Sequence, residues 1–179
     1  MSNLYAGFGR VDITPMMGIR LQGYYVERVA EGILDNLEIN ALVLACDERT
    51  AVLISIDHCG IARETATEFR KHISEVTGVA MEAVYIHSTH THTAPFLNQE
   101  SEDKMEQEYY QFVRHKIADA AKLALEDLKP ARMGVGVGRA PGIAFIRRFR
   151  MKDGSIRTNP GVNNPDILAP IGDGSAGLR

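Results

Sequence analysis

Ala83-Val84-Tyr85-Ile86-His87-Ser88-Thr89-His90-Thr91-His92-Thr93-Ala94-Pro95 joins a short apolar run to a turn holding three of the chain's six histidines. The run from Ala83 to Ile86 is β-branched and aromatic, and reads as a buried strand; Pro95 ends the extended segment. Upstream, residues 62–77 place Ala62, Ala66, Phe69, Ile73 and Val76 at helical spacing, and Gly78 closes that helix. Before it, residues 36–46 alternate and then become continuously apolar, as a strand entering a buried sheet does. The turn Asp47-Glu48-Arg49-Thr50 leads into Ala51-Val52-Leu53-Ile54-Ser55-Ile56-Asp57, and the two strands are predicted to pair as a hairpin.

Outward from this centre the pattern continues. Residues 5–14 read as a strand that stops at Pro15, and residues 16–32, with Gly18, Gly23 and Gly32, read as a long loop or gate. A helix is predicted from Ser101, its N-cap, to Leu128, with a stripe of Tyr109, Phe112, Val113, Ile117, Ala120, Ala121, Ala124 and Leu128. Residues 131–139 and 143–151 are predicted as further strands, the second turning at Lys152-Asp153-Gly154-Ser155. Alternation of strands and helices predicts an α/β fold, a mixed β-sheet flanked by helices. Residues 1–157 are expected to form this α/β portion of a catalytic domain. Residues 158–179, rich in turn formers, are expected to be an irregular, truncated tail.

Composition narrows the function classes. Of 179 residues, 45% are hydrophobic and 24% charged, which is the balance of a folded globular chain. The formal net charge of -3 gives no basic face for a phosphate backbone, so no nucleic-acid partner is expected. There is no apolar run of transmembrane length and no basic-then-apolar leader, so a cytoplasmic location is expected. The two cysteines, Cys46 and Cys59, are too few for a disulfide framework and read as buried free thiols.

The chemistry concentrates at His87, His90 and His92. Imidazole is the usual nitrogen ligand of zinc, and on an extended segment residues two apart share a face, so His90 and His92 are expected to enter one pocket. The small Ser88, Thr89, Thr91 and Thr93 leave room for close approach. The bland alternative is a polar surface loop, but three histidines within six residues after an apolar strand favour a metal site. Asp57 and His58 follow the preceding strand and stand either as site-lining residues or as parts of a strand-end turn. His72 and His115 fall on exposed helix positions. Gly7-Phe8-Gly9 is not a dinucleotide fingerprint, because it runs into Pro15 and not into a helix. Arg147-Arg148-Phe149-Arg150 is either a solvated basic face or a clamp for an oxyanion.

These segments together resemble the N-terminal portion of the neutral (non-lysosomal) ceramidase family. The resemblance rests on Gly7-Phe8-Gly9-Arg10-Val11-Asp12-Ile13-Thr14, Leu21-Gln22-Gly23-Tyr24, Gly32-Ile33-Leu34-Asp35-Asn36-Leu37, Val52-Leu53-Ile54-Ser55-Ile56-Asp57, the histidine turn through Pro95, and Phe145-Ile146-Arg147-Arg148. It implies zinc-dependent hydrolysis of the N-acyl bond of ceramide, a lipid amide, to sphingosine and a fatty acid. It implies that His90 is the zinc ligand of this turn, that His92 contacts the reacting amide or its oxyanion, and that Arg147 belongs to the substrate pocket. The chain departs from the family where Ile146-Arg147 replaces Asn-Arg and where Thr93-Ala94-Pro95 replaces Ser-Gly-Pro. The family's second zinc histidine, its zinc-binding glutamate and tyrosine, and its pocket serine fall beyond the reach of these residues. By that measure the chain alone is expected to bind zinc weakly and hydrolyse little. The competing expectation is a non-catalytic α/β module whose histidine turn recognises a ligand. A metal-independent hydrolase built on Asp57 and His58 is weaker, since no Gly-x-Ser-x-Gly elbow is present.

Overall fold

The computed structural model describes residues 3–138, 146–161 and 163–172. The chain divides into two compact units, Met1–Met133 and Gly134–Arg179. The first is built on a five-stranded sheet in the order β4-β3-β2-β1-β5, comprising β1 (Leu4–Asp12), β2 (Glu38–Cys46), β3 (Arg49–Ile56), β4 (Val84–Ser88) and the two-residue β5 (Lys129–Pro130). β1 with β2, β2 with β3 and β1 with β5 pair antiparallel, whereas β3 and β4 run parallel. The sheet is therefore mixed, as the alternation of elements predicted. The β2–β3 hairpin turns through Asp47 and Glu48, with Asp47 at φ 53°.

The parallel pair needs a crossover, and α1 (Arg63–Thr77) supplies it. This helix buries Thr65, Phe69 and Ile73, four residues apart each time, and leaves the predicted stripe members Ala62 and Val76 exposed. Gly78, at φ 75°, returns its N–H to the Ser74 carbonyl, the left-handed closure expected of glycine there. α2 (Lys104–Glu126) starts at Asp103, whose carboxylate accepts from the Met105 N–H at 2.9 Å. Ser101 is thus not the cap. Its hydroxyl accepts the Asp103 N–H and donates to the buried Glu106 carboxylate at 2.6 Å, a different way of closing the same turn. The helix face buries Tyr109, Val113, Ile117, Ala120, Ala121 and Ala124 as predicted, adds Tyr110, and leaves Phe112 partly exposed.

The core lies between this helical layer and the sheet face carrying Ile39, Ala41, Val43, Val52, Ile54 and Ile56, all within one buried cluster. Gly7 and Gly9 explain how close the layers come. A β-carbon on Gly9 would sit 2.1 Å from the Ala120 carbonyl oxygen, and one on Gly7 would sit 2.0 Å from that of Ala124. The Gly-x-Gly that failed as a nucleotide motif is a seat for the α2 backbone. On the opposite face, the register aligns Phe8, Leu42, Leu53 and Tyr85 in one row across four strands. Within this unit Phe8 is 62% and Tyr85 61% exposed.

The strand predicted over residues 131–139 does not form. Ala131 still bonds to the Leu4 carbonyl, but Leu4 is where β1 begins, and among the described residues no partner strand runs beyond it. Gly134, Gly136 and Gly138 offer nothing to bury, and Val135 and Val137 are 90% and 99% exposed. Residue 139 lies outside the described residues, as do 143–145 of the next predicted strand.

In the second unit β6 (Arg148–Met151) is flanked by β7 (Ile156–Thr158) and β8 (Ile167–Pro170), both antiparallel. β8 lies inside the segment expected to be irregular. At four residues, all of them apolar, it is too short to show a period, and pairing with β6 makes the strand. Among the described residues, no helix is long and apolar enough to cross a membrane.

Replacing Gly9 with alanine forces the α2 backbone away from β1. A loss of about 3 kcal/mol is expected, with a lower urea midpoint and little change in the slope of the transition.

Candidate metal centre

The histidine turn is held by its neighbour strand after both strands have formally ended. The Thr89 N–H donates to the Ile56 carbonyl at 3.0 Å, and the His90 N–H donates to the His58 carbonyl at 2.9 Å. These two bonds carry the parallel pairing of β3 and β4 past Ser88 and lay the turn against Asp57, His58 and Cys59. The chain then leaves the strand, because His90 adopts φ 66°, a left-handed conformation costly for a side-chain-bearing residue. The convergence of His90 and His92 thus comes from a turn and not from the alternation of an extended segment.

The two rings meet edge to face, with centroids 4.8 Å apart and planes at 81°. Their Nε2 atoms are 3.3 Å apart. His90 Nδ1 lies 2.5 Å from the Cys59 carbonyl oxygen, an acceptor only, so Nδ1 carries the proton and Nε2 keeps its lone pair. A backbone carbonyl on the far nitrogen is the usual arrangement behind a metal-binding imidazole. Two nitrogens bound tetrahedrally at zinc distances of about 2.0–2.1 Å stand about 3.3–3.4 Å apart, so the separation of these two fits such an ion. The Cys59 thiol lies 3.9 Å from His90 Nδ1. Among the described residues, Cys59, His90 and His92 each offer a ligand atom within 4.8 Å of the others.

The other candidates fall differently. His87 is exposed on β4, its ring 6.1 Å from that of Tyr85, and does not join the cluster. The Asp57 carboxylate accepts the Glu38 N–H at 3.0 Å and ties the end of β3 to β2. His58 is fully buried, with Nδ1 3.2 Å from the Gly60 carbonyl, while its Nε2 has no hydrogen-bond partner. Burial lowers its pKa from 6.5 to about 4. It supports the turn from below as a neutral ring. Arg147 belongs to the second unit and is exposed just before β6. Cys59 is the residue that sequence reasoning set aside. The signal was present: it follows β3 by three positions, level with the residues that follow the parallel β4.

The loop of residues 16–32 is a strap fastened over His92. Its start is anchored by Arg20, which bonds to the buried Glu106 at 2.9 Å. Leu21 bridges to Pro95, and the Gln22 N–H donates to the Ala94 carbonyl at 2.8 Å. The Arg28 guanidinium donates to the His92 carbonyl and stacks 4.0 Å over the Tyr24 ring. Tyr24 in turn meets the His92 ring edge-on at 5.6 Å. Gly23, at φ 108°, lies so near that a β-carbon there would be 2.5 Å from His92 Cγ. Beside the turn, a groove of about 790 Å³ is lined by Gln22, Gly60, Thr65, Phe96 and Asn98 among others. A second groove, about 700 Å³, lies by Tyr5 and Pro130, at the end of the sheet opposite the histidines.

Comparison with known proteins places the fold. No family model matches the chain, and no curated protein matches it either. Among solved structures it is similar to a neutral ceramidase from Pseudomonas aeruginosa, at 22% identity and a TM-score of 0.62, over 73% of this chain and 22% of that one. It is also similar to a ceramidase complexed with C2, at 20% identity and a TM-score of 0.63, over the same 73% and 22%. The α/β fold expected from the sequence segments is therefore that of a part of these enzymes, and the chain spans about a fifth of their length.

Two outcomes follow from the packing around the turn. In the metal-free chain, the unfolded state takes up a proton on His58 as pH falls below 6.5, while the buried ring resists until about 4. Stability from this group is complete above pH 6.5, falls by about 3 kcal/mol between those limits and then levels off. Urea titrations across that range in EDTA check this, and His58→Gln should lose that part of the slope. Gly23→Ala is expected to cost about 1–3 kcal/mol and to displace the His92 ring, seen as a shift of its imidazole resonances while those of His72 and His115 stay put.

Proposed function

We propose that this chain supplies one wall of the active site of a zinc-dependent amide hydrolase, with His90 as a ligand of the ion. The supporting observation is the pair of imidazole Nε2 atoms 3.3 Å apart, one of them with its tautomer fixed by the Cys59 carbonyl. When bound, zinc supplies Lewis acidity toward an amide carbonyl and makes water a stronger acid.

The chain's own residues do the rest of the positioning. The Cys59 carbonyl holds the His90 proton on Nδ1, so the lone pair of Nε2 faces the cluster. The strap fixes His92 through Arg28 on its backbone and Tyr24 and Gly23 against its ring. Fixed in this way, His92 is suited to donate a hydrogen bond to the oxygen of a reacting amide as negative charge develops there. Arg147, in the second unit, is proposed as a substrate-binding residue on the family resemblance alone, its guanidinium being suited to an oxyanion or a carboxylate.

Ceramide is the substrate class this reading favours, on the strength of the fold shared with ceramidases and the segments that resemble them. Hydrolysis by the complete site requires groups besides these, so the 179-residue chain is proposed to bind the ion but to turn over little substrate.

Isothermal titration with zinc tests the reading. The unmodified chain should bind the ion, and His90→Ala should weaken binding by about tenfold or more. Equal binding by both would remove His90 from the site, and no zinc binding by the unmodified chain would favour a ligand-recognition module without metal.

A further inference from the structure

We infer that the tip of the strap, Tyr24-Tyr25-Val26, is a lipid-contacting surface that seats the chain on an uncharged phospholipid layer beside His92. The inference deepens the proposed reading of a lipid amide hydrolase and rests on it. The first observation is the shape of the strap. Residues 19–21 and 28–30 run antiparallel: the Leu21 N–H donates to the Arg28 carbonyl at 2.8 Å, the Ala30 N–H donates to the Ile19 carbonyl at 2.9 Å, and Arg20 bridges to Val29. The base of this hairpin is fixed by the buried Ile19 and by Arg20 on Glu106. Residues 22–27 form its tip.

The second is what the tip exposes. Tyr25 is fully exposed, and Tyr24 and Val26 are 62% and 66% exposed. Tyr24 meets the Arg28 guanidinium and the His92 ring, whereas Tyr25 and Val26 take no part in the buried cluster. A single exposed apolar side chain is ordinary, but three in succession at the end of an anchored hairpin make a patch. The third is the chemistry of that patch. A phenol ring sets an apolar body in lipid and a hydroxyl among the headgroups, so tyrosine suits the boundary of a bilayer. Glu27 and Arg28 follow the patch with opposite charges, and Arg28 is bound to the His92 carbonyl. The tip thus has no basic cluster to hold an anionic surface, and the chain carries a formal net charge of -3, so a zwitterionic layer is the surface that fits.

Position links the patch to the chemistry. Gly23 lies against His92 and Tyr24 meets its ring, so a layer entered by Tyr25 and Val26 comes close to the His92 imidazole. An N-acyl lipid would leave such a layer directly beside the site. The contact is peripheral and reversible, because affinity for a lipid surface scales with the apolar area buried in it and this patch is small.

The chain contains no tryptophan, so Tyr25→Trp installs a single fluorescent reporter at the tip. Tyr85→Trp installs one on the outer face of the sheet, where Tyr85 is also exposed, and serves as the control. Each variant is mixed, in EDTA, with phosphatidylcholine vesicles and with vesicles whose acyl chains are brominated. The Tyr25→Trp emission should shift to the blue on the vesicles and be quenched by the bromine, and the Tyr85→Trp emission should do neither. In cosedimentation the unmodified chain should bind the vesicles, and Tyr25→Ser combined with Val26→Ser should bind them at least about tenfold less tightly. Unshifted Tyr25→Trp emission, an equal shift of Tyr85→Trp, or undiminished binding by the serine variant would each overturn the inference. Because EDTA removes the ion, these readouts are independent of the zinc titration. A chain that binds zinc through His90 but binds no vesicles loses this inference alone. One that binds vesicles through the tip but binds no zinc keeps the lipid surface and loses the reading beneath it.

Discussion

Two backbone hydrogen bonds, Thr89 to Ile56 and His90 to His58, prolong the parallel pairing of β3 and β4 beyond the ends of both strands. Every feature of the candidate site depends on that prolongation. Without it, the segment after β4 would be a free polar loop and Cys59 would be a thiol at a strand end with no neighbour. With it, Cys59 and the two histidines some thirty positions later offer polar atoms within 4.8 Å of one another. The arrangement follows the general habit of open α/β sheets, where chemistry gathers beyond the carboxyl ends of parallel strands. Here a single parallel pair inside an otherwise antiparallel sheet is enough to create such an edge.

The supports around the turn are of two kinds. Below it is a neutral, fully buried His58, which fills space and accepts no charge near neutrality. Above it is the strap, whose hold on His92 is polar at the backbone and aromatic at the ring. Its anchor, Arg20 on a carboxylate that Ser101 also binds, is an ion pair buried on one side only. Such a pair contributes geometry more than stability, since desolvating Glu106 offsets much of the attraction. The strap is thereby aimed, and the aim reaches His92.

Much of the fold was legible because its periods are strong. The hairpin of β2 and β3, the α1 helix with its closing glycine, and the α2 stripe all follow from spacing alone. What failed did so where tertiary partners decide. Residues 131–138 alternate glycine with apolar residues, but a strand needs a neighbour, and β1 has already ended there. Ser101 is a good capping residue in isolation, and Asp103, two positions on, takes the role while Glu106 claims the serine hydroxyl. At the site, the histidines stood out by their density, whereas Cys59 did not, because its relevance depends on which strands run parallel. His87 was drawn in by adjacency and left out by the pleat, which sends it to the other face.

His90 carries two demands at once. Its backbone sits in a left-handed well that glycine or asparagine would occupy more comfortably, while its ring is the one proposed to face a cation. The substitutions that would relax the chain at this position are therefore the ones that delete the donor. Conformational ease and ligand affinity pull in opposite directions on a single residue, so drift toward a more comfortable backbone would leave the scaffold sturdier and the chemistry silent.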